Sequence, residues 1–197
     1  MRISSDSARG AIWKRLLLLF VSILTLLGLV NGVWYFGYKN RYNRIAEHLS
    51  EYYLGKTGEP AARRYETEVE EYRIGMKMPA YLGRGGFISI GKTEDMLIEL
   101  DETGEIEAGK GMRIMLWIYP KYFRGFELYL TLEDDAEDVH ETVELTPDLR
   151  LKDETLEEIL DPEELAELSR RIEANRDEIQ RMLALAEKTL EIRIADD

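Results

Sequence analysis

Hydrophobic positions in this chain fall into three rhythms, and each predicts a different element. The first is an unbroken uncharged run, Leu16–Tyr38, most apolar over Leu16–Val30. A bilayer core of about 30 Å takes roughly 20 helical residues to cross, so the run predicts one transmembrane helix over 16–38. Trp13 at one edge and Trp34, Tyr35 and Tyr38 at the other are expected at the membrane–water interface. Two other readings are weaker. A cleaved leader would end near Val30-Asn31-Gly32, but apolar residues continue and no A-x-A-like site is present. A buried core helix of a soluble protein would show a polar face, and this run has none. Gly28 and Asn31 are small and polar positions of the kind that helix pairing uses.

The second rhythm has period two. Tyr72, Ile74, Met76 and Met78 alternate with polar or small residues, and Phe126, Leu128, Leu130 and Leu132 alternate with Glu127, Tyr129 and Thr131. Val139, Val143 and Leu145 repeat the pattern. Phe87–Ile90 and Met96–Leu100 read as short strands, with a hairpin-type turn at Asp101–Gly104. Met112–Tyr119 is apolar at nearly every position, which predicts a central strand covered on both faces. Residues 65–145 therefore read as an antiparallel meander, closed as a sandwich or a curled sheet.

The third rhythm is helical. Tyr38, Tyr42, Ile45, Leu49 and Tyr52 recur at spacings of three and four, so a juxtamembrane helix is expected over 39–54, broken by Gly55–Pro60. Its apolar stripe is expected to pack on the chain's own domain, with a second copy of the chain as the alternative. Thr155-Leu156-Glu157-Glu158 has capping-box spacing, and Asp161-Pro162-Glu163-Glu164 is a helix start with Asp at the N-cap and Pro at N1. From there Leu165, Leu168, Ile172, Asn175, Ile179, Met182 and Ala186 form a heptad-like seam on one long helix. Such a seam either lies on its own sheet or docks a partner helix, and Asn175 on it either sets register or marks a bend or a polar loop. Glu167–Arg171 and Asp177–Arg181 are i,i+4 pairs on its outside. Leu190, Ile192 and Ile194 alternate and suggest a final strand. The predicted architecture is a membrane-anchored α+β fold: a basic tail (1–15), the transmembrane helix (16–38), a helix and linker (39–60), and a β-rich domain (61–197) with a helical segment at 153–189.

Charge then sets direction and excludes partners. The chain holds 26 basic and 39 acidic residues, a net −13. Arg2, Arg9, Lys14 and Arg15 precede the run against Asp6 alone, which leaves 22 basic and 38 acidic residues, or −16, beyond Tyr38. The basic flank predicts a cytoplasmic N-terminus and an extracytoplasmic domain, although Lys39, Arg41 and Arg44 weaken the asymmetry. Such acidity disfavours nucleic acid, where Lys and Arg must neutralise phosphates. The expected partners are the lipid bilayer and another envelope protein or a second copy of the chain. With no cysteine and only His48 and His140, thiol chemistry, disulfides and most zinc sites are excluded.

Three local patterns bear on chemistry. Gly86-Phe87-Ile88-Ser89-Ile90-Gly91-Lys92-Thr93 fits the phosphate-loop pattern, but that loop needs a core strand before it and a helix after it. Phe-Ile-Ser-Ile reads as strand, so the match is taken as accidental. Glu133–Asp138, followed by His140, is a candidate Ca²⁺ loop that lacks EF-hand spacing. Tyr119–Phe126 mixes aromatics with Lys and Arg in a turn, either a contact surface or a lid on the end of the core. No cofactor and no catalytic group is assigned. The expected function is an interaction or scaffold module in the cell envelope. A ligand or ion sensor is the alternative and an enzyme the third reading.

Overall fold

In the computed structural model, residues 5–52, 64–83, 85–93, 112–134, 139–152 and 161–194 are described. The expected strand at Met96–Leu100, its turn at Asp101–Gly104, the helix start at Thr155 and the acidic residues 135–138 lie outside them. Helix α1 (Ser5–Trp34) passes through a π-helical turn (Tyr35–Lys39) into α2 (Asn40–Ala46). Strands β1 (Ser50–Tyr52), β2 (Arg64–Val69), β3 (Tyr72–Lys77), β4 (Phe87–Lys92), β5 (Arg113–Pro120), β6 (Phe126–Asp134) and β7 (Val139–Leu145) follow. Helices α3 (Pro162–Ala174) and α4 (Arg176–Leu190) complete the order.

The strands form one antiparallel sheet in sequence order, β1 through β7. Six strands make its body and the three-residue β1 extends one edge. The meander is as expected; the second layer of a sandwich is supplied by helices instead. Alternation gives the sheet one aliphatic face. The row Ile74, Ile90, Leu116, Leu130, Val143 and the row Met76, Ile88, Ile118, Leu128, Leu145 each cross five strands in register, and all ten side chains are buried.

Helices α3 and α4 supply Leu168, Ile172, Ile179, Met182 and Ala186 to the same core. The heptad seam is therefore spent on the chain's own sheet and does not present a docking face. Leu165 and Asn175 are half-buried at its margin. Nor is it one long helix: Asn175 leaves helical geometry at φ −108°, ψ 11°, and its side-chain amide donates to Arg171 O at 2.8 Å. Asp161 is the N-cap, as read, and the cap is a full capping box: Glu163 N and Glu164 N each donate to Oδ1 at 2.9 Å, and Asp161 N donates to Glu164 Oε2 at 3.0 Å. Of the two expected i,i+4 pairs, Glu167–Arg171 closes at 2.9 Å. Arg181 turns instead to Glu70 and Glu71 at the β2–β3 turn, at 2.7 and 2.9 Å. No final strand forms at Leu190–Ile194. Leu190 ends α4, Glu191 takes a left-handed conformation, and Ile194 N donates to Glu187 Oε1 at 2.6 Å.

The segment 34–46 is part of this core. The stripe residues Tyr38, Tyr42 and Ile45 pack on the chain's own domain, as expected, whereas Trp34 and Tyr38, expected at a membrane edge, are buried in the fold. Trp34 packs edge-on against Tyr81, and Tyr38 stacks on Tyr122 at 4.8 Å. Tyr42 donates to Gly86 O at 2.7 Å. The expected helix over 39–54 stops at Ala46, and Ser50–Tyr52 pairs as β1 instead. Two glycines permit the docking. A Cβ at Gly37 would lie 2.9 Å from the Phe123 ring, and one at Gly86 would lie 2.8 Å from Pro79 N and from the Tyr42 ring. By contrast, large apolar side chains on α1 from Leu16 to Val33 are exposed. The helical stretch Trp13–Ala46 is long and apolar enough to cross a membrane. Its polar side chains Thr25 and Asn31 bond back to Val21 O and Leu27 O at 2.9 and 2.7 Å.

The motif glycine and the motif lysine therefore differ in weight. Gly86→Ala forces an atom into backbone and ring and should cost about 1–3 kcal/mol. Lys92→Ala removes only a half-exposed ion pair to Glu178 (3.5 Å), for about 0–1 kcal/mol. Denaturant unfolding of the two variants checks the contrast.

Candidate functional site

Among the described residues the opposite face of the sheet carries no helix, and it has a different chemistry. Where β5 sends Ile114, Leu116 and Ile118 into the core, its alternate residues Met115, Trp117 and Tyr119 stand on the other side. The neighbouring strands add Phe87 from β4, Tyr129 and Thr131 from β6, and Thr142 from β7. Together with Glu127 and Glu133 they line an open groove of about 680 Å³.

Register explains why the rings lie together. One row runs Gly75, Ser89, Trp117, Tyr129, Glu144 across five strands. Small residues on β3 and β4 leave the large ones room on β5 and β6. The rings meet edge to face: Phe87 with Trp117 at 5.0 Å and Tyr119 with Tyr129 at 5.3 Å between centroids. Such contacts add about 0.5–1.5 kcal/mol beyond area burial and hold the rings in fixed poses. The next row anchors them. Trp117 Nε1 donates to Thr131 Oγ1 at 2.9 Å, and Thr131 Oγ1 shares a hydrogen bond of 2.9 Å with Thr142 Oγ1.

Charges sit at the rim in pairs: Arg113–Glu133 at 3.1 Å, Lys152–Glu144 at 2.6 Å and Lys121–Glu127 at 3.7 Å. The Lys77 ammonium lies 5.8 Å from the centre of the Phe87 ring. Burial pushes the Tyr119 phenol above its ordinary range. The Tyr129 phenol is also raised, first by burial and then by the Glu144 and Glu127 carboxylates. Neither hydroxyl has a hydrogen-bond partner among the described residues, so both can donate to an incoming group. The surface can therefore stack, exclude water and hydrogen-bond.

The residues singled out from sequence fare unequally. Trp13 and Tyr35 are exposed on the helix, whereas Trp34 and Tyr38 are internal. The phosphate-loop pattern is extended: Phe87–Lys92 is a sheet strand, with Lys92 bonded to Glu178. Of the acidic cluster, Glu133 is paired with Arg113 and residues 135–138 lie outside the description. No group of three or more potential metal-ligating residues occurs among the described residues. The Tyr119–Phe126 turn folds against Gly37 and Arg41, covering the end of the core with Tyr122, while Tyr119 alone joins the groove. Among the described residues, β5 is covered by helices on one face rather than on the two expected. Its strict alternation of aliphatic with sulfur and aromatic residues was the signal that separated the faces. The chain matches no family model, no curated protein and no solved structure.

A raised phenol pKa favours the neutral form in the folded state. The unfolded chain then releases its protons first, near pH 10, and stability falls as pH rises above that value. Tyr119→Phe and Tyr129→Phe should each flatten this alkaline loss and remove one late-ionising phenol from the absorbance titration at 295 nm. Unchanged titration curves would show that the groove does not shield the two phenols.

Proposed function

We propose that this protein is a single-pass membrane protein that acts as an interaction module rather than an enzyme. In this reading α1 crosses the bilayer with its basic N-terminal flank in the cytoplasm. The sheet is held on the other side and binds through its open aromatic face. The observation that carries the proposal is the fixed cluster of Phe87, Trp117, Tyr119 and Tyr129 lining an open groove, on a face that bears no helix among the described residues. Aromatic rings with a polar tip, rimmed by paired charges, have the composition of a protein-binding centre. The favoured occupant is an extended apolar segment of another envelope protein. Its side chains would stack on the rings, and its carbonyl groups would accept from the two tyrosine hydroxyls. Because the Trp117 indole N–H is already committed to Thr131, it holds the groove in shape instead of reading the ligand.

Two measurements test this. With a C-terminal tag, protease added to intact cells should digest the domain. Protection until permeabilisation would reverse the orientation. A photo-crosslinking residue at Tyr129 should give a discrete adduct that weakens at least about tenfold in a Phe87→Ala background, the loss of one binding-centre ring. The same probe at Glu173, on the outer surface of α3, should give none. Equal adducts at both positions, or an adduct indifferent to Phe87, would sink the assignment of the open face.

A further inference from the structure

Two segments of the domain reach back along the helix and expose apolar side chains beside it. Residues 78–83, after β3, carry Tyr81 and Leu82; the β5–β6 turn carries Phe123. Both are fastened to the helix at a fixed level. The Tyr81 hydroxyl donates to Asn31 Oδ1, Trp34 Nε1 donates to Gly83 O at 3.5 Å, and Phe123 N donates to Gly37 O at 2.6 Å. Yet Tyr81 is 68% and Phe123 66% exposed. Tyr35 and Phe36 on the helix are exposed at the same level.

Backbone conformation adds an independent observation. Leu82 and Phe123 have φ of 56° and 66°, a region that bulky side chains avoid. Leu149 also has positive φ, but it is buried and its packing accounts for the strain. Leu82 and Phe123 carry the same strain with their side chains exposed. Strain held in place by surrounding structure points to use.

Continuity and length identify the occupant. Leu29, Val30, Val33 and Trp34 share one apolar hollow of about 540 Å³ with Leu82 and Tyr122, so the loop surface joins the helix surface without a polar break. Leu16–Val30 is only about 22 Å long at 1.5 Å per residue, short of a bilayer core of about 30 Å. Reaching that thickness takes the helix to Phe36, about 31 Å from Leu16, which is the level the loops occupy. Arg44 and Arg124 border the neighbouring hollow that Phe123 also lines, together with Arg41, Arg193, Glu47 and Glu191. At this level four arginines face two glutamates, although the domain as a whole is acidic.

We propose that residues 78–83 and the 121–125 turn form a collar seated in the lipid headgroup zone, a second membrane contact that holds the sheet at one height and tilt. This rests on the reading that α1 spans the membrane. The absence of cysteine from the chain makes the test direct. Full-length variants Leu24→Cys, Leu82→Cys, Phe123→Cys, Arg124→Cys and Glu173→Cys are labelled with an environment-sensitive fluorophore in phosphatidylcholine vesicles. They are then quenched by doxyl lipids of two depths and by aqueous iodide. Leu24 should respond to the deep quencher, and Leu82 and Phe123 to the shallow one at least about twofold more than Glu173, which should respond to iodide. Arg124→Cys reads the same level without removing an apolar contact, and it should follow Phe123. If Leu24 is lipid-quenched while Leu82, Phe123 and Arg124 behave like Glu173, the collar is wrong and the span stands. Shielding of those three from both lipid and iodide would mean that protein covers them, and would also overturn the collar. A Leu24 label quenched only by iodide would overturn the span and the collar together.

Discussion

The docking of residues 34–46 into the β domain is the constraint on which the rest of the structure depends. Arg41 is buried and donates to Lys121 O and Gly125 O at 2.6 and 2.9 Å, with its guanidinium 4.6 Å from the centre of the Phe126 ring. Removing a cation from water is costly, and it is tolerated here because two carbonyls and an aromatic face replace the solvent. The π-helical turn brings Gly37 O to the Phe123 amide, and such turns recur where a helix is adapted to a local task. These polar contacts are directional, so the helix enters the domain at a set angle and a set rotation.

That docking also decides which sheet face is covered. With Tyr38, Tyr42 and Ile45 on the aliphatic side, α3 and α4 complete the same layer, and their seam is consumed there. Tyr72 and Lys92 hold α4 through Glu178, and Arg181 holds it through Glu70 and Glu71. On the other face, the rings are ordered by small neighbours at Gly75 and Ser89 and by the threonine pair. Among the described residues, one face of the sheet thus carries the helical layer and the other carries the ring cluster.

Much of the fold was legible because alternation and capping are local. β3, β6 and β7 appear where period two places them, and Asp161 caps its helix with Pro162 in the first turn, as read. The failures share one cause, which is that composition does not say what a side chain touches. Trp34 and Tyr38 suit a membrane edge and a protein core equally well. Arg41 reads as a flanking charge until the carbonyls some eighty residues away are brought to it. Leu190, Ile192 and Ile194 alternate, but the last turn of α4 claims the first of them. The groove was half visible: Tyr129 and Thr131 lay on the wet face read for β6. Met115, Trp117 and Tyr119 were assigned to a buried face because aromatic and aliphatic positions count alike as apolar.

The order of contacts along the chain has a consequence for assembly. Every strand pairs with its sequence neighbour, so the sheet can grow hairpin by hairpin as it is made, with little loop-closure entropy at each step. The helix is different. It is synthesised first, but the Gly86 carbonyl that Tyr42 bonds and the Lys121 and Gly125 carbonyls that Arg41 bonds come later in the chain. During translation the N-terminal helix therefore waits about eighty more residues for the carbonyls and rings it docks against. The interval before β6 forms is when the nascent chain exposes most of what it later buries, and when shielding by a chaperone or an insertion factor matters most.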